Sequence, residues 1–240
     1  MTIKYVYLAL VCIVFSANAC KKTSNPGAET GYATGKAVDS KGNPLAGVEI
    51  TLENTTFHEG YTSKTDKNGN YKIKLSKNGA YSASAYIDKE LNNIVYHLPL
   101  HTNDKNYFSQ EGGVVNFELK LTGQKPEGGY YGGEIQVGAD INDLNLIEDE
   151  ENIELTLTPL SKLVDGTDAT AIKLNLTRIS LYYGLVDIPI ARYSVVAKYK
   201  GTVLKLKIRD SNAPYQNNVT INFPKDISTG AVIGLTYRRD

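Results

Sequence analysis

The chain has no tryptophan and only one methionine, and its two cysteines, Cys12 and Cys20, both lie near the N-terminus. Cys12 sits inside an apolar run, so a chain processed after that run keeps a single cysteine and has no disulfide available. A mature protein of about 220 residues must then hold together by its hydrophobic core alone, which domains near 100 residues can do. A dominant charge is also missing: 26 basic side chains face 26 acidic ones. Removing residues 1–19 takes away Lys4 and no acid, leaving a net charge of about −1, and nothing in that balance steers the chain toward nucleic acid. The longest apolar run, Tyr5 to Phe15, is too short to span a bilayer, which takes ~20 apolar residues.

That run, preceded by Lys4 and followed by Ser16-Ala17-Asn18-Ala19-Cys20, reads as an export signal ending in small residues before a cysteine. It resembles a bacterial lipoprotein signal, which implies a signal peptide at 1–19 and a lipidated Cys20 as the first mature residue. Ala17 departs from the leucine usual three positions before that cysteine, and an ordinary secreted protein with a free Cys20 is the alternative. Acyl chains at Cys20 would add ~0.8 kcal/mol of membrane affinity per buried methylene, enough in combination for lasting attachment. Residues 20–31 contain TSNPGAET, a polar tether rich in turn formers. Lys21-Lys22 stands where surface-exported lipoproteins often carry acid, so the expected location is the cell envelope, at the outer membrane, with the chain facing the periplasm rather than the cell surface.

From Gly35 the pattern changes. Val48, Ile50 and Leu52 alternate with Glu49, Thr51 and Glu53, and Tyr71, Ile73 and Leu75 alternate with Lys72, Lys74 and Ser76, the two-residue period of half-buried strands. Asp39 to Gly42 with Asn43-Pro44, and Asp66-Lys67-Asn68-Gly69, are clusters of turn formers. Asp66, Asn68 and Asn70 also imitate the start of a calcium loop, but its twelfth position is Lys77, a cation where a bidentate Glu is needed. The set Gly35, Ala37, Asp39, Gly42, Pro44-Leu45, Gly47-Val48, Thr65-Asp66, Gly69 and Tyr71 resembles the carboxypeptidase regulatory-like domain. That resemblance covers roughly residues 32 to 122, with Ala37 where valine is usual. It implies a transthyretin-like β-sandwich grouped with carbohydrate-binding-like folds, and it is nearly silent on activity.

The first domain is expected to span 32–123, closing with Tyr81, Ala83 and Ala85 on one strand and Val115, Phe117, Leu119 and Leu121 on the last. Between them, His97 and His101 flank Pro99. On a strand those rings would stand ~13 Å apart, too far to share an ion, and Pro99 opposes a helix, so solvent-facing histidines around a loop are expected. Residues 124–133, QKPEGGYYGG, read as a Gly-rich linker, and 134–240 as a second β-sandwich domain of about seven short strands. Ala80–Ala85 resembles Arg192–Ala197, a faint internal repeat whose offset does not fit the earlier strands. The fold class is therefore all-β, two tandem β-sandwiches after a lipoprotein signal, the first transthyretin-like and carboxypeptidase regulatory-like.

Catalytic patterns are scarce. A zinc carboxypeptidase needs His with Glu three residues on, and His58, His97 and His101 are followed there by Tyr61, Leu100 and Asp104. Tyr237-Arg238 echoes only part of the C-terminal signature of the hydroxyisourate hydrolases, which share the transthyretin-like fold. In related pilin-like domains a crosslinking lysine stands two residues before the first-strand Asp, where this chain has Ala37. Asp140, Asn142, Asp143 and Glu151 approach a second calcium loop, but Leu144 and Asn145 break it, and Glu148 to Glu151 read as a solvated loop. No catalytic residue, metal ligand or cofactor is assigned.

Seventeen tyrosines remain to be explained. Most alternate in strands and fill a core that has no tryptophan. Tyr130-Tyr131 and Tyr182-Tyr183 lie in or near expected connections, where flat rings with polar tips suit ligand binding. The sequence thus implies a non-catalytic, lipid-anchored binding module, with Tyr130, Tyr131, Tyr182 and Tyr183 as candidate ligand residues and a glycan or peptide as candidate ligand. A passive spacer or assembly subunit of an envelope complex is the alternative. Expected partners are the membrane, through Cys20, and a glycan or an envelope protein.

Overall fold

The computed structural model describes residues 29–76, 78–102, 107–126, 128–143, 145–225 and 231–239. The signal peptide, Cys20 and most of the tether fall outside them. Among the described residues the regular structure is all strand apart from one 3-10 turn, Glu150–Asn152.

The first nine strands are β1 (Tyr32–Asp39), β2 (Glu49–Asn54), β3 (Glu59–Lys64), β4 (Asn70–Lys74), β5 (Ala80–Leu91), β6 (Ile94–Leu100), β7 (Tyr107–Ser109), β8 (Gly113–Val114) and β9 (Phe117–Leu119). They form two sheets. One runs β4-β1-β8 with β9 also on β1, and the other β3-β2-β5-β6 with β7 on β5. The turn residues of the sequence motif hold β1 to its neighbours. Asp39 Oδ1 accepts the amides of Lys41 and Asn43 at 2.9 and 2.8 Å, and Asp66 Oδ1 those of Asn68 and Asn70 at 2.8 and 2.9 Å. Both carboxylates are thus used to shape hairpins. At Gly69 the φ is +75°, and an added Cβ would lie 2.5 Å from the Ala37 carbonyl, so only glycine fits both the turn and the close approach. Thr65 ties the turns together: its hydroxyl donates to the Leu45 carbonyl at 2.6 Å and accepts the Val48 amide at 3.0 Å.

The remaining strands are β10 (Gly133–Ala139), β11 (Ile153–Pro159), β12 (Ile172–Asn175), β13 (Thr177–Ile179), β14 (Tyr182–Ile188), β15 (Arg192–Tyr199), β16 (Thr202–Val203), β17 (Lys205–Ile208), β18 (Val219–Asn222) and β19 (Val232–Arg238). One sheet runs β13-β14-β10-β19-β17, the other β12-β11-β15-β16 with β18 on β15. Among the described residues, no strand of 32–119 pairs with a strand of 133–238.

The two halves repeat one plan. β1 pairs antiparallel with β4 and parallel with β9, and β10 pairs antiparallel with β14 and parallel with β19. Likewise β2 lies between β3 and β5, and β11 between β12 and β15, all antiparallel. The faint repeat in the sequence falls on β5 and β15. In each, a fully buried tyrosine opens the inward row, Tyr81, Ala83, Ala85 in one and Tyr193, Val195, Ala197 in the other. Each hydroxyl also turns back to the preceding segment, Tyr81 to Ser76 and Tyr193 to the Pro189 carbonyl at 2.9 Å.

Three expectations need correction. His97 and Pro99 lie inside strand β6, with His101 just beyond it, because β6 is an edge strand, where a proline costs no ladder bond. The second half has a β13-β14 hairpin that the seven expected strands omit; Ser180 at φ 56° and Leu181 make its two-residue turn, while Gly184 and the left-handed Asp187 interrupt the alternation. Finally, the acidic run is bonded rather than merely solvated. Asp149 accepts from the Tyr199 hydroxyl at 2.6 Å and from Lys200 at 2.9 Å, and Glu150 accepts from the Tyr237 hydroxyl at 2.7 Å.

Candidate functional site

The segment expected as a linker is an ordered loop. The Lys125 amide donates to the Gly129 carbonyl at 3.0 Å, Gly128 to Lys125 at 3.1 Å, and Tyr131 to Gly123 at 2.9 Å. Gly128 and Gly129 both have positive φ, as such a tight reversal requires. This loop connects β9 to β10 and is clasped from the side by Asp187 of β14. The Asp187 carboxylate accepts the Gly123 amide at 2.9 and 2.8 Å through its two oxygens, and the Gly132 amide at 3.1 Å. Asp187 itself is held at φ 61°, beside a register shift between β10 and β14. An added Cβ at Gly132 would lie 2.6 Å from the Asp187 backbone, so glycine there permits the clasp.

Tyr131 is presented by this loop to the seam between the halves. Its ring centroid stands 4.3 Å from that of His101 at the end of β6, tilted by 59°, and the Lys120 and Lys125 ammonium groups lie 5.3 and 6.0 Å from it. A second tie crosses the seam where the Tyr96 hydroxyl of β6 donates to the Phe223 carbonyl at 3.0 Å. Tyr96 is fully buried, and burial raises its pKa. The seam opens on one side as a groove of about 420 Å³, lined by Lys41 and Lys120 from the first half, Tyr131 from the loop, and Asp165 and Thr167 from the second half. Asp165 Oδ1 accepts both the amide and the hydroxyl of Thr167, at 2.9 and 2.6 Å. The groove therefore offers an aromatic ring, two lysines, two carboxylates, Glu118 and Asp165, and hydroxyls, contributed by both halves, with Lys120 paired to Glu118 at 3.6 Å.

The four candidate tyrosines do not form one patch. Tyr130 is 42% exposed and opens into a separate hollow of about 270 Å³ with Lys125, Glu134 and Val186. Tyr182 and Tyr183 are neighbours within β14, and the pleat sends them to opposite faces. Tyr182 faces outward and donates to Glu134 Oε1 at 2.6 Å, a bond that raises its pKa. Tyr183 packs on the core. Sequence reasoning missed Asp187 and Asp165, and weighed His101 only as a metal ligand. A left-handed aspartate and a ring contact across the seam leave no local pattern to read, since each depends on residues far away in the chain.

A second polar cluster fixes the last strand. Asp140, after β10, accepts the Asn142 amide at 2.9 Å, the Tyr215 hydroxyl at 2.7 Å and Arg238 Nε at 2.6 Å. Those bonds hold its pKa well below the carboxylate range, and burial with the Asp140 bond pushes Tyr215 up to about 12. Asp143 accepts the Arg239 amide at 3.1 Å. No group of three or more His, Cys, Asp or Glu side chains among the described residues is arranged to hold a metal ion.

No family model matches the chain, and no curated protein matches it. Solved structures do resemble it. The TIE protein of Bacillus anthracis aligns with 88% of this chain at 17% identity and a TM-score of 0.37, and the chain spans 34% of that protein's length. A C-terminal fragment of the pilus adhesin SpaC from Lactobacillus rhamnosus GG aligns with 88% of the chain at 11% identity and a TM-score of 0.30, covering 97% of that fragment. A double mutant of the shaft pilin SpaA from the same organism aligns at 14% identity and a TM-score of 0.26, covering 88% of this chain and 98% of the pilin. Likeness of this degree carries no argument about function.

Proposed function

We propose that the chain is a non-catalytic, lipid-anchored envelope protein whose two β-sandwich halves bind a glycan or a short peptide in the groove at their seam. The observation that supports this reading is the placement of Tyr131. It stands in a groove lined by both halves, on a loop that the Asp187 clasp holds in place before any ligand arrives. A site organised in advance loses little conformational entropy on binding. Glycans and peptides both use what the groove carries: a ring edge for apolar contact and Lys41, Asp165 and Thr167 for polar contact. Cys20 attaches the chain to the membrane, residues 21–31 act as a short spacer, and the first half sits nearer the bilayer, facing the periplasm.

The test uses the mature chain with Cys20→Ser, screened against glycan and peptide arrays. The reading predicts at least one ligand whose affinity falls roughly tenfold or more in Tyr131→Ala, as the loss of an aromatic anchor implies. Lipidation is checked separately by membrane fractionation of the full chain, which Cys20→Ser should release. The spacer reading is favoured by a different observation, the Tyr96–Phe223 bond that joins the halves. An array with no ligand, together with a membrane-fraction partner recovered by crosslinking, would support the spacer.

A further inference from the structure

The sheet β13-β14-β10-β19-β17 turns one face away from the core, and that face is cationic near β17. Leu206 is fully buried, so its neighbours Lys205 and Lys207 point outward, and Arg209 follows on the same side. Lys205 lies opposite Arg238 of β19, and Lys207 opposite Thr236. A step of two residues along the extended strand sets Lys205 and Lys207 roughly 7 Å apart, and Arg209 follows in the turn after β17. Among the described residues, no ion pair involves any of these three. Two acids at β10 are already occupied, and Asp210 follows Arg209 in the turn after β17. Asp140 is bonded to Arg238 and Tyr215, and Glu134 to Tyr182 and Gln136.

Lysines on an edge strand can serve simply to block edge-to-edge pairing, and β17 is an edge. Arg209 goes beyond that role. It lies back across the sheet, with Nη1 donating to Gln136 Oε1 at 3.2 Å. Beneath it is Gly234, where an added Cβ would stand 3.0 Å from the Arg209 Cβ and Nε, and Gly138 lies next to its far end. Neither glycine has a positive φ; a side chain at Gly234 would crowd the arginine, while one at Gly138 would meet it only at ordinary contact distance. The result is a shallow trough holding the Arg209 guanidinium, with the Lys205 and Lys207 ammonium groups along its rim and the amide of Gln136 and hydroxyl of Thr236 between. Lys207 and Arg238 both approach the Tyr215 ring, at 5.0 and 4.5 Å from its centroid.

We propose that this outer face binds an acidic polysaccharide, a linear chain bearing regularly spaced carboxylates. A row of cations fits repeated charges better than a compact anion. The hydrogen-bonding groups in the trough suit sugar hydroxyls, and of the outward β19 side chains only Val232 is a large exposed apolar one, too little for insertion into a bilayer. The site is separate from the seam groove and does not rest on it.

The experiment measures binding of polygalacturonate to the mature chain carrying Cys20→Ser, with neutral dextran and phosphatidylglycerol vesicles as parallel arms. Polygalacturonate is expected to bind, with an affinity that falls as salt rises, and dextran is not. The triple variant Lys205→Gln/Lys207→Gln/Arg209→Gln should keep the wild-type melting temperature and lose roughly tenfold or more in affinity. Tyr131→Ala should leave this binding unchanged, which separates it from a failure at the seam. The proposal is overturned if wild type does not bind polygalacturonate, if the triple variant binds it equally well, or if only the vesicles bind, in which case the face serves the membrane.

Discussion

In the first half Asp39 and Asp66 serve their own turns, and in the second Asp140, Asp149 and Asp187 reach across the chain. Asp39 and Asp66 accept amides two and four residues ahead, whereas Asp140 meets Tyr215 and Arg238, Asp149 meets Tyr199, and Asp187 meets Gly123 and Gly132. The strand plan is the same in both, with the first strand of each half between an antiparallel and a parallel neighbour. One frame can thus be stabilised by local or by distant polar contacts, and the distant ones tie the loop and, beside its ladders, the last strand to the rest of the half.

The comparison is tested most strongly at the paired tyrosines. Tyr81→Ala and Tyr193→Ala should each cost about 3–5 kcal/mol, since both rings are fully buried at equivalent places in β5 and β15. Urea melts would check this, and a loss below about 1 kcal/mol at either site would break the equivalence of the halves.

A middle-sized effect is expected at the clasp. Asp187→Ala removes the acceptor of two amides and puts alanine at φ 61°, for a loss of about 2 kcal/mol. Asp187→Gly tolerates the backbone, so a smaller loss with the same loosening of the 123–132 loop would assign the loosening to the carboxylate. Asp39→Ala should be the mildest, about 0.5–1 kcal/mol, because it affects one exposed turn.

The difference also has a pH dependence. Backbone and side-chain bonds lower the pKa of Asp140, so its contribution is present above the unfolded value of about 4 and is lost as pH falls through the lower folded value. Tyr215 runs the other way. Its folded pKa is raised to about 12, so its contribution is full below about 10 and lost as pH rises toward 12. Melting temperature should therefore fall on both sides of a neutral plateau, and Asp140→Asn should flatten part of the acid limb. An unchanged acid limb in that variant would mean that the Asp140 bonds do not persist in solution.

The reach of the contacts also decides what the sequence reveals. The motif from Gly35 to Leu75 is readable because Asp39, Gly42, Asp66 and Gly69 act within their own turns, and the inward rows of β5 and β15 are readable because alternation is local. The repeat itself stays faint because the connections differ: β2 and β3 are joined by residues 55–58, β11 and β12 by residues 160–171. Each such difference shifts the offset between equivalent strands. Among the candidate ligand residues, the double tyrosines mark exposed or half-exposed rings but say nothing about facing, which the pleat settles for Tyr182 and Tyr183 and the seam for Tyr131. The 124–133 segment reads as a linker from its glycines. Its order comes from a carboxylate on β14, beyond any window over the segment itself.

The account depends most on the seam being a fixed structure, and hydrogen exchange at the Gly123 and Gly132 amides tests that directly. Both should be protected in the wild-type chain and should exchange markedly faster in Asp187→Gly, while amides of β2 and β11 stay unchanged. Exchange of Gly123 and Gly132 at unprotected rates in the wild type would contradict the account, because a free loop would leave Tyr131 without a formed groove to stand in.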